Sequence, residues 1–166
     1  AATTRRFCPP ELLAALRDEG HRIANVGGAA APASERKSVV ILSSMEASVN
    51  RLFQEEDLGV FFADISGHAV DVTLFRPQGN TLAGTIELFA DADIVVGVHG
   101  DLLAHIVWCR PGAKVIEVGW AGAGREAYAH ASAALGLEHY LAQAIASPVG
   151  AAGAEGDYGD TDDASF

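Results

Sequence analysis

The chain has 166 residues, a length typical of one domain. Its 22 acidic residues outnumber its 11 basic residues, and the formal net charge is −11. Such a charge argues against binding to nucleic acid or to an anionic membrane, which needs a basic surface, and an apolar content of 49% excludes global disorder.

The first half of the chain alternates helix and strand patterns. Residues 10–19 predict a short helix, because three leucines share one face, prolines precede it and Gly20 follows it. Residues 38–42 are an apolar, β-branched run typical of a buried strand. Residues 54–66 contain Val-Phe-Phe, yet their apolar side chains recur at helical spacing after an acidic first turn, so they predict a helix. Residues 69–75 alternate as a strand does.

The second half continues the alternation. Two further buried strands are predicted over residues 93–98 and 114–118. Asn80 or Thr81 caps a helix that runs to residue 92, and further helices are predicted over residues 101–109, 124–135 and 138–146. Strands alternating with helices of these lengths indicate an α/β fold: a Rossmann-like parallel sheet with helices on both faces.

The ends of the chain differ in composition from its middle. Residues 155–166 contain five acidic residues and no Lys or Arg, so residues 147–166 predict a disordered acidic tail. A weak linker spans residues 26–34. We therefore expect an amino-terminal helix and linker over residues 1–37 and a Rossmann-like domain over residues 38–146. Without an initiating Met, signal peptide or membrane span, the sequence suggests a domain from a longer protein.

Polar residues follow three of the predicted strands. In open parallel sheets ligands bind beyond the carboxyl ends of the strands. The first strand leads into Ser43 and Ser44, and the strand over residues 93–98 leads into His99 and Gly100. The strand over residues 114–118 carries Glu117 and leads into Trp120, whose ring could stack on a base or a sugar.

Of the residues that follow these strands, the His99-Gly100 pair is the most informative about function. Glycine lets a ligand approach the backbone, and the N–H groups of a following helix favour an anion such as a diphosphate. Histidine can donate to a phosphate or sugar oxygen, or act as an acid or base. A turn capped by a histidine without any ligand explains the same residues equally well.

Metal and thiol chemistry are weaker readings of the same region. His99 and His105 are six residues apart, which does not suit two ligands on one helix face, so we expect no metal. The intervening helix separates Cys109 from His99, and we expect Cys8 and Cys109 to be separate thiols, with Cys109 buried. The other histidines are predicted at the surface or in loops: His21, His68, His130 and His139.

Residues 88–118, LFADADIVVGVHGDLLAHIVWCRPGAKVIEV, resemble the signature of glycosyltransferase family 61, the DUF563 group. The resemblance covers roughly residues 36–120. The matched positions are Phe89, Ala92, Gly97, His99, Gly100, Leu102 or Leu103, Pro111, Gly112 and Glu117.

The resemblance implies an inverting enzyme of the GT-B type, built from two Rossmann-like domains, that uses a nucleotide sugar, usually a UDP-sugar, without a metal or other cofactor. The transferred sugar would be a hexose, GlcNAc or a pentose, and the acceptor a glycan or protein-linked glycan in the ER or Golgi lumen. Residues 38–146 would then be the nucleotide-sugar-binding domain, with a missing amino-terminal half as partner. His99 and Gly100 would face the diphosphate or sugar, and Glu117 would lie near the nucleotide.

Several residues depart from the family pattern. Ser43 and Ser44 stand where the family has an arginine, and Asp101 replaces a small alanine after His-Gly. A carboxylate 4 Å from a diphosphate would cost about 1–4 kcal/mol. Arg51, Arg76 or Arg110 could compensate.

These departures leave a second reading open, a degenerate and non-catalytic structural or interaction module. A third reading, an unrelated nucleotide-binding Rossmann domain, is weaker because its first strand would need a GxGxxG motif after it.

Overall fold

The computed structural model describes residues 8–26, 36–43, 55–119 and 126–143. Five strands alternate with helices along the chain. The strands are β1 (Lys37–Leu42), β2 (Val70–Phe75), β3 (Ile94–Val98), β4 (Lys114–Gly119) and β5 (Glu138–Gln143). The helices are α1 (Pro10–Ile23), α2 (Glu55–Ile65), α3 (Leu82–Asp91), a 3₁₀ helix (Asp101–Trp108) and α4 (Glu126–Leu135).

The five strands form one parallel sheet in the order β2-β1-β3-β4-β5. This arrangement confirms the α/β, Rossmann-like fold. The chain moves from β1 outward to β2 and then returns to place β3 on the other side of β1. The strand order therefore reverses between β1 and β3, and the carboxyl ends of these two strands flank the crevice where such sheets bind ligands.

Alternate residues of each strand face two different cores. On one face, Val40, Val95 and Val115 pack with residues of α3 and the 3₁₀ helix, and α1 lies across α3, the 3₁₀ helix and α4. On the other face, Val39, Ile41 and Val96 pack against α2. Burial on both faces is why these strands are nearly continuous apolar runs.

Most element predictions are confirmed to within a residue or two. The Val-Phe-Phe run lies in α2, as its helical spacing predicts. Thr81 caps α3, and its hydroxyl accepts a hydrogen bond from the Gly84 N–H at 3.1 Å. The linker and the acidic tail lie outside the described residues, so the division into domains stays a prediction.

The helix predicted over residues 138–146 is wrong, because Glu138–Gln143 forms strand β5. The alanine content and an opening glutamate favour a helix locally. In the structure, however, every residue of β5 pairs in parallel with a residue of β4, from Glu138 beside Lys114 to Gln143 beside Gly119. Pairing with a neighbouring strand outweighs the weak local preference.

The predicted end of the first helix at Gly20 is also wrong, because α1 continues to Ile23. Gly20 is buried, and a Cβ atom at this position would lie 2.3 Å from Cζ3 of the Trp108 ring. The next residue, His21, contacts the Trp108 carbonyl oxygen through Nε2 at 2.7 Å. Gly20 therefore serves close packing of α1 on the 3₁₀ helix, not termination of α1.

Two helix-interior glycines should respond oppositely to alanine. At Gly20 the new methyl group meets the Trp108 ring, so we expect Gly20→Ala to destabilise the protein by about 1–3 kcal/mol. At Gly59 in α2 a Cβ would lie 3.5 Å from Val72 Cγ1, an ordinary contact, so Gly59→Ala should stabilise the protein by up to about 1 kcal/mol. Urea unfolding gives the free energy of unfolding of both variants. Equal changes in that free energy would contradict the packing argument.

Candidate functional site

The carboxyl ends of β1, β3 and β4 bring the predicted polar residues to one edge of the sheet. Ser43 follows β1, and its N–H donates to the Phe75 carbonyl oxygen at 2.9 Å. His99 follows β3, and its N–H donates to the Val118 carbonyl oxygen at 2.8 Å. Both residues thus extend the ladder beyond the assigned strands, which gives their positions the rigidity of the sheet.

A buried carboxylate holds two imidazole rings at this edge. The Glu117 side chain has no solvent exposure. Its Oε1 is hydrogen-bonded to Nδ1 of His99, and its Oε2 to Nε2 of His139 at 2.8 Å. An ionised carboxylate can only accept, so both of these ring nitrogens carry a hydrogen and donate it. The hydrogen bonds therefore set the orientation and the tautomer of each ring.

The strand register explains how three residues distant in sequence meet. Glu117 pairs with Gly97 on β3 and with Leu141 on β5. His99 lies two residues beyond Gly97, and His139 two residues before Leu141, so both are diagonal neighbours of Glu117 on the same face. A Cβ at Gly97 would lie 2.6 Å from Leu42 Cδ1, so packing on β1 requires this glycine.

Tyr128 of α4 covers the His99-Gly100 turn, and sequence reasoning missed it. Its hydroxyl donates to the Gly100 carbonyl oxygen at 2.7 Å, and its ring meets the His99 ring edge-on at 5.6 Å. Burial raises the pKa of Tyr128, and the nearby carboxylates of Asp101 and Glu117 raise it further. The hydroxyl therefore remains a protonated donor that fixes the turn.

Gly100 is not demanded by the fold. Its backbone is extended, and among the described residues a Cβ there would meet only the Val98 carbonyl oxygen, at 3.9 Å. Asp101 follows as the exposed first residue of the 3₁₀ helix. Among the described residues, space is therefore open at Gly100 beside His99, whose side chain is 21% exposed, and Asp101 is the next residue along the chain.

On the β1 side of the crevice, Ser43 is buried and faces into the protein. Its hydroxyl donates to Oε2 of Glu55 at 2.8 Å, and Glu55, the first residue of α2, is also buried. Ser43 thus ties the end of β1 to the start of α2. The predicted site residues Ser44 and Trp120 lie outside the described residues, as does Arg51.

The prediction that Arg110 could offset the charge of Asp101 is wrong. The Arg110 guanidinium bonds the Ala90 carbonyl oxygen and lies 3.7 Å from the Asp91 carboxylate. Both partners are at the end of α3, which leads into the amino end of β3, so Arg110 is at the edge opposite His99. Arg76 directly follows β2, is exposed, and lies at the carboxyl edge.

The prediction of surface or loop positions is wrong for His139 and His21. His139 lies on β5 with its ring against Glu117, and His21 is half-buried in α1. Residues 138–143, Glu-His-Tyr-Leu-Ala-Gln, do not alternate between polar and apolar, so no local signal placed His139 on the inner face of a strand. His105, between the rings of Phe75 and Phe89, is a core residue.

Cys109 is buried among the core residues, and burial raises its pKa to about 12. Cys8 is exposed, and both thiols are free, as predicted. Within the four described segments, no group of three or more His, Cys, Asp or Glu side chains is placed to hold a metal ion.

Together, the fold and the polar edge at its strand reversal define a Rossmann-like domain with a candidate ligand site at the carboxyl edge of the sheet. The family model described as Glycosyltransferase 61 matches residues 8–116, and the chain belongs to this family. Membership indicates a glycosyltransferase function and an enzyme of the secretory pathway. No curated protein matches the chain.

No helix among the described residues is long and apolar enough to span a membrane. Glu117, Tyr128 and His139 lie beyond the matched residues.

The two thiols should differ sharply in reactivity. The thiolate is the reactive form, and a thiol with a pKa of about 12 that is also buried has almost none of it at pH 8. In native protein we expect one fast reaction with a thiol reagent such as DTNB, lost in Cys8→Ser, and a second reaction only after unfolding. Fast labelling of Cys109 would show that the core around it opens readily.

Proposed function

We propose that this chain is the donor-binding half of an inverting glycosyltransferase that takes a UDP-sugar and transfers the sugar to a glycan or protein-linked acceptor. The donor lies at the carboxyl edge, in the crevice between β1 and β3. The diphosphate lies over the open space at Gly100, within reach of His99. The ER or Golgi lumen is the proposed compartment, and an amino-terminal half completes the enzyme.

The observation that carries this proposal is the oriented imidazole at the strand reversal. Glu117 accepts the hydrogen of Nδ1, so the contact that we propose with a phosphate oxygen is made by Nε2 of His99. In its protonated form this nitrogen donates a charge-assisted hydrogen bond to a phosphate oxygen. The open backbone at Gly100 supports the same placement, because nothing in the fold requires a glycine there.

The proposed reaction is a direct displacement at the anomeric carbon. The acceptor oxygen forms a bond to that carbon while the bond to the diphosphate oxygen breaks, and the acceptor proton passes to a base. Negative charge grows on the leaving UDP, and donors that face the diphosphate, such as His99, stabilise it. We expect the base to come from the amino-terminal half. No metal or other cofactor takes part in this scheme.

Two observations favour the alternative, a non-catalytic module that retains the fold. Asp101 directly follows Gly100 and is exposed, so it adds negative charge close to the proposed diphosphate position. The Ser43 hydroxyl, at the position where the family has arginine, is bonded to the buried Glu55 and supplies no positive charge. In this alternative the domain keeps its fold but no longer binds a nucleotide sugar.

Calorimetric titration with UDP at low salt distinguishes the two. We expect binding with a Kd between about 1 µM and 1 mM, and tighter binding by Asp101→Ala because a like charge is removed. Asp101→Asn, which keeps the shape, should tighten binding similarly. Absence of binding by all three forms would favour the non-catalytic module, and silent wild type with binding by Asp101→Ala would identify a site disabled by one charge.

The two arginines should differ in their effect on UDP. Arg76 lies two strands from β3, about 10 Å across the sheet, at the carboxyl edge. We expect Arg76→Gln to weaken UDP binding about fivefold, since one partly screened ion pair contributes up to about 1 kcal/mol. Arg110→Gln removes the same charge at the opposite edge and should leave the Kd unchanged. Equal losses of UDP affinity in both variants would mean that the net charge of the chain, and not the position of Arg76, sets the affinity.

A further inference from the structure

The geometry points to His139 as a positioning residue of the donor site. We infer that His139, acting through Glu117, holds the His99 ring in one orientation and one tautomer, so that Nε2 is the nitrogen that meets the donor diphosphate. The ligand part of this inference rests on the proposed function. The positioning of His99 by His139 rests only on the contacts of the two rings with Glu117.

Burial makes the second imidazole necessary. A carboxylate with no solvent exposure is costly unless its oxygens are hydrogen-bonded. His99 satisfies Oε1, and His139 satisfies Oε2 at 2.8 Å. If His139 is lost, Oε2 has no described donor, and the carboxyl group is free to turn toward another partner. Such a turn disturbs the acceptor that holds the His99 N–H.

The position of His139 separates it from a ligand at the carboxyl edge. His139 pairs with Val115, whereas the His99 N–H bonds the Val118 carbonyl oxygen near the end of β4. At about 3.3 Å per residue, the His139 backbone lies roughly 10 Å or more deeper along the sheet than the His99 backbone, and the His139 ring reaches the shared carboxylate from that side. Its side chain is 14% exposed. A donor that contacts His99 is thus linked to His139 through Glu117.

Tyr128 restrains the other side of the same ring. Its ring lies edge-on against His99, and its hydroxyl holds the Gly100 carbonyl oxygen. The His99 ring is therefore held by packing from α4 and by a hydrogen bond from β4. Unlike the edge-on contact with Tyr128, the hydrogen bond to Glu117 distinguishes Nδ1 from Nε2, so the Glu117–His139 pair favours one presentation of the ring.

The test uses two substitutions of His139 and one matched control, all in the full chain. His139→Leu removes the donor to Oε2, whereas His139→Gln keeps a side-chain N–H that can reach it. His21→Leu is the control, because His21 is also a half-buried histidine with one short hydrogen bond, to Trp108. The measurements are the ring ¹⁵N shifts of His99 by NMR and the Kd for UDP by calorimetry.

Before UDP is added, we expect wild-type His99 to show one neutral tautomer with its hydrogen on Nδ1, and bound UDP should convert the ring to an imidazolium that donates from Nε2. In His139→Leu the ring should become a mixture of tautomers, with UDP binding weakened about tenfold or more. In His139→Gln the single tautomer should return, with the Kd within about threefold of wild type. His21→Leu should lower thermal stability without changing either measurement.

Two outcomes would overturn the inference. Unchanged His99 shifts in His139→Leu would show that Glu117 holds the ring without His139. Equal losses of UDP affinity in His139→Leu and His139→Gln, with a restored tautomer in the latter, would show that the His139 ring itself contacts the ligand. If wild type does not bind UDP, the proposed function fails, and the ring shifts alone decide whether His139 positions His99.

Discussion

A carboxylate buried without solvent exposure must have both oxygens hydrogen-bonded, and at Glu117 this requirement joins three strands. The side chain sits on β4, one partner follows β3 and the other lies on β5. The carboxyl edge of the sheet is thus ordered by a polar contact as well as by the backbone ladder. We infer that the orientation of the His99 ring depends on His139, a residue that a ligand at the carboxyl edge need not contact.

The distribution of basic residues complements this arrangement. At the amino edge, cations pair with carboxylates: Lys37 with Asp93 at 3.0 Å, Arg36 with Asp71 at 3.2 Å and Lys114 with Glu138 at 3.4 Å. Burial raises the pKa of Asp93, but the Ser38 N–H and Lys37 outweigh it and leave that pKa lowered. These cations stabilise the start of the sheet. At the opposite edge, Arg76 and the oriented His99 ring are the described groups that we propose for an anionic ligand.

Membership of the family does not by itself establish that this domain binds a donor. The strands, the Gly97 contact with Leu42 and the His99-Gly100 turn retain the architecture. The substitutions at Ser43 and Asp101 affect charge, and charge decides whether a diphosphate binds in that architecture. The Ser43–Glu55 contact shows that the end of β1 is tied to α2 by a neutral hydroxyl and a buried carboxyl group.

The sequence by itself determined the alternation of strands and helices, the parallel sheet and the place of the His99-Gly100 pair at the end of a buried strand. The periodicity of apolar residues and the identity of the residues that follow each strand are local properties, so they can be read from neighbouring residues. Gly20 and residues 138–143 were misread, because a glycine packed on a tryptophan ring and an edge strand paired along β4 depend on partners far away in the chain. Only the tertiary structure decided that Glu117 serves His99 and that His139 completes the contact. Strand register brings these residues together, and register is set by pairing across the whole sheet.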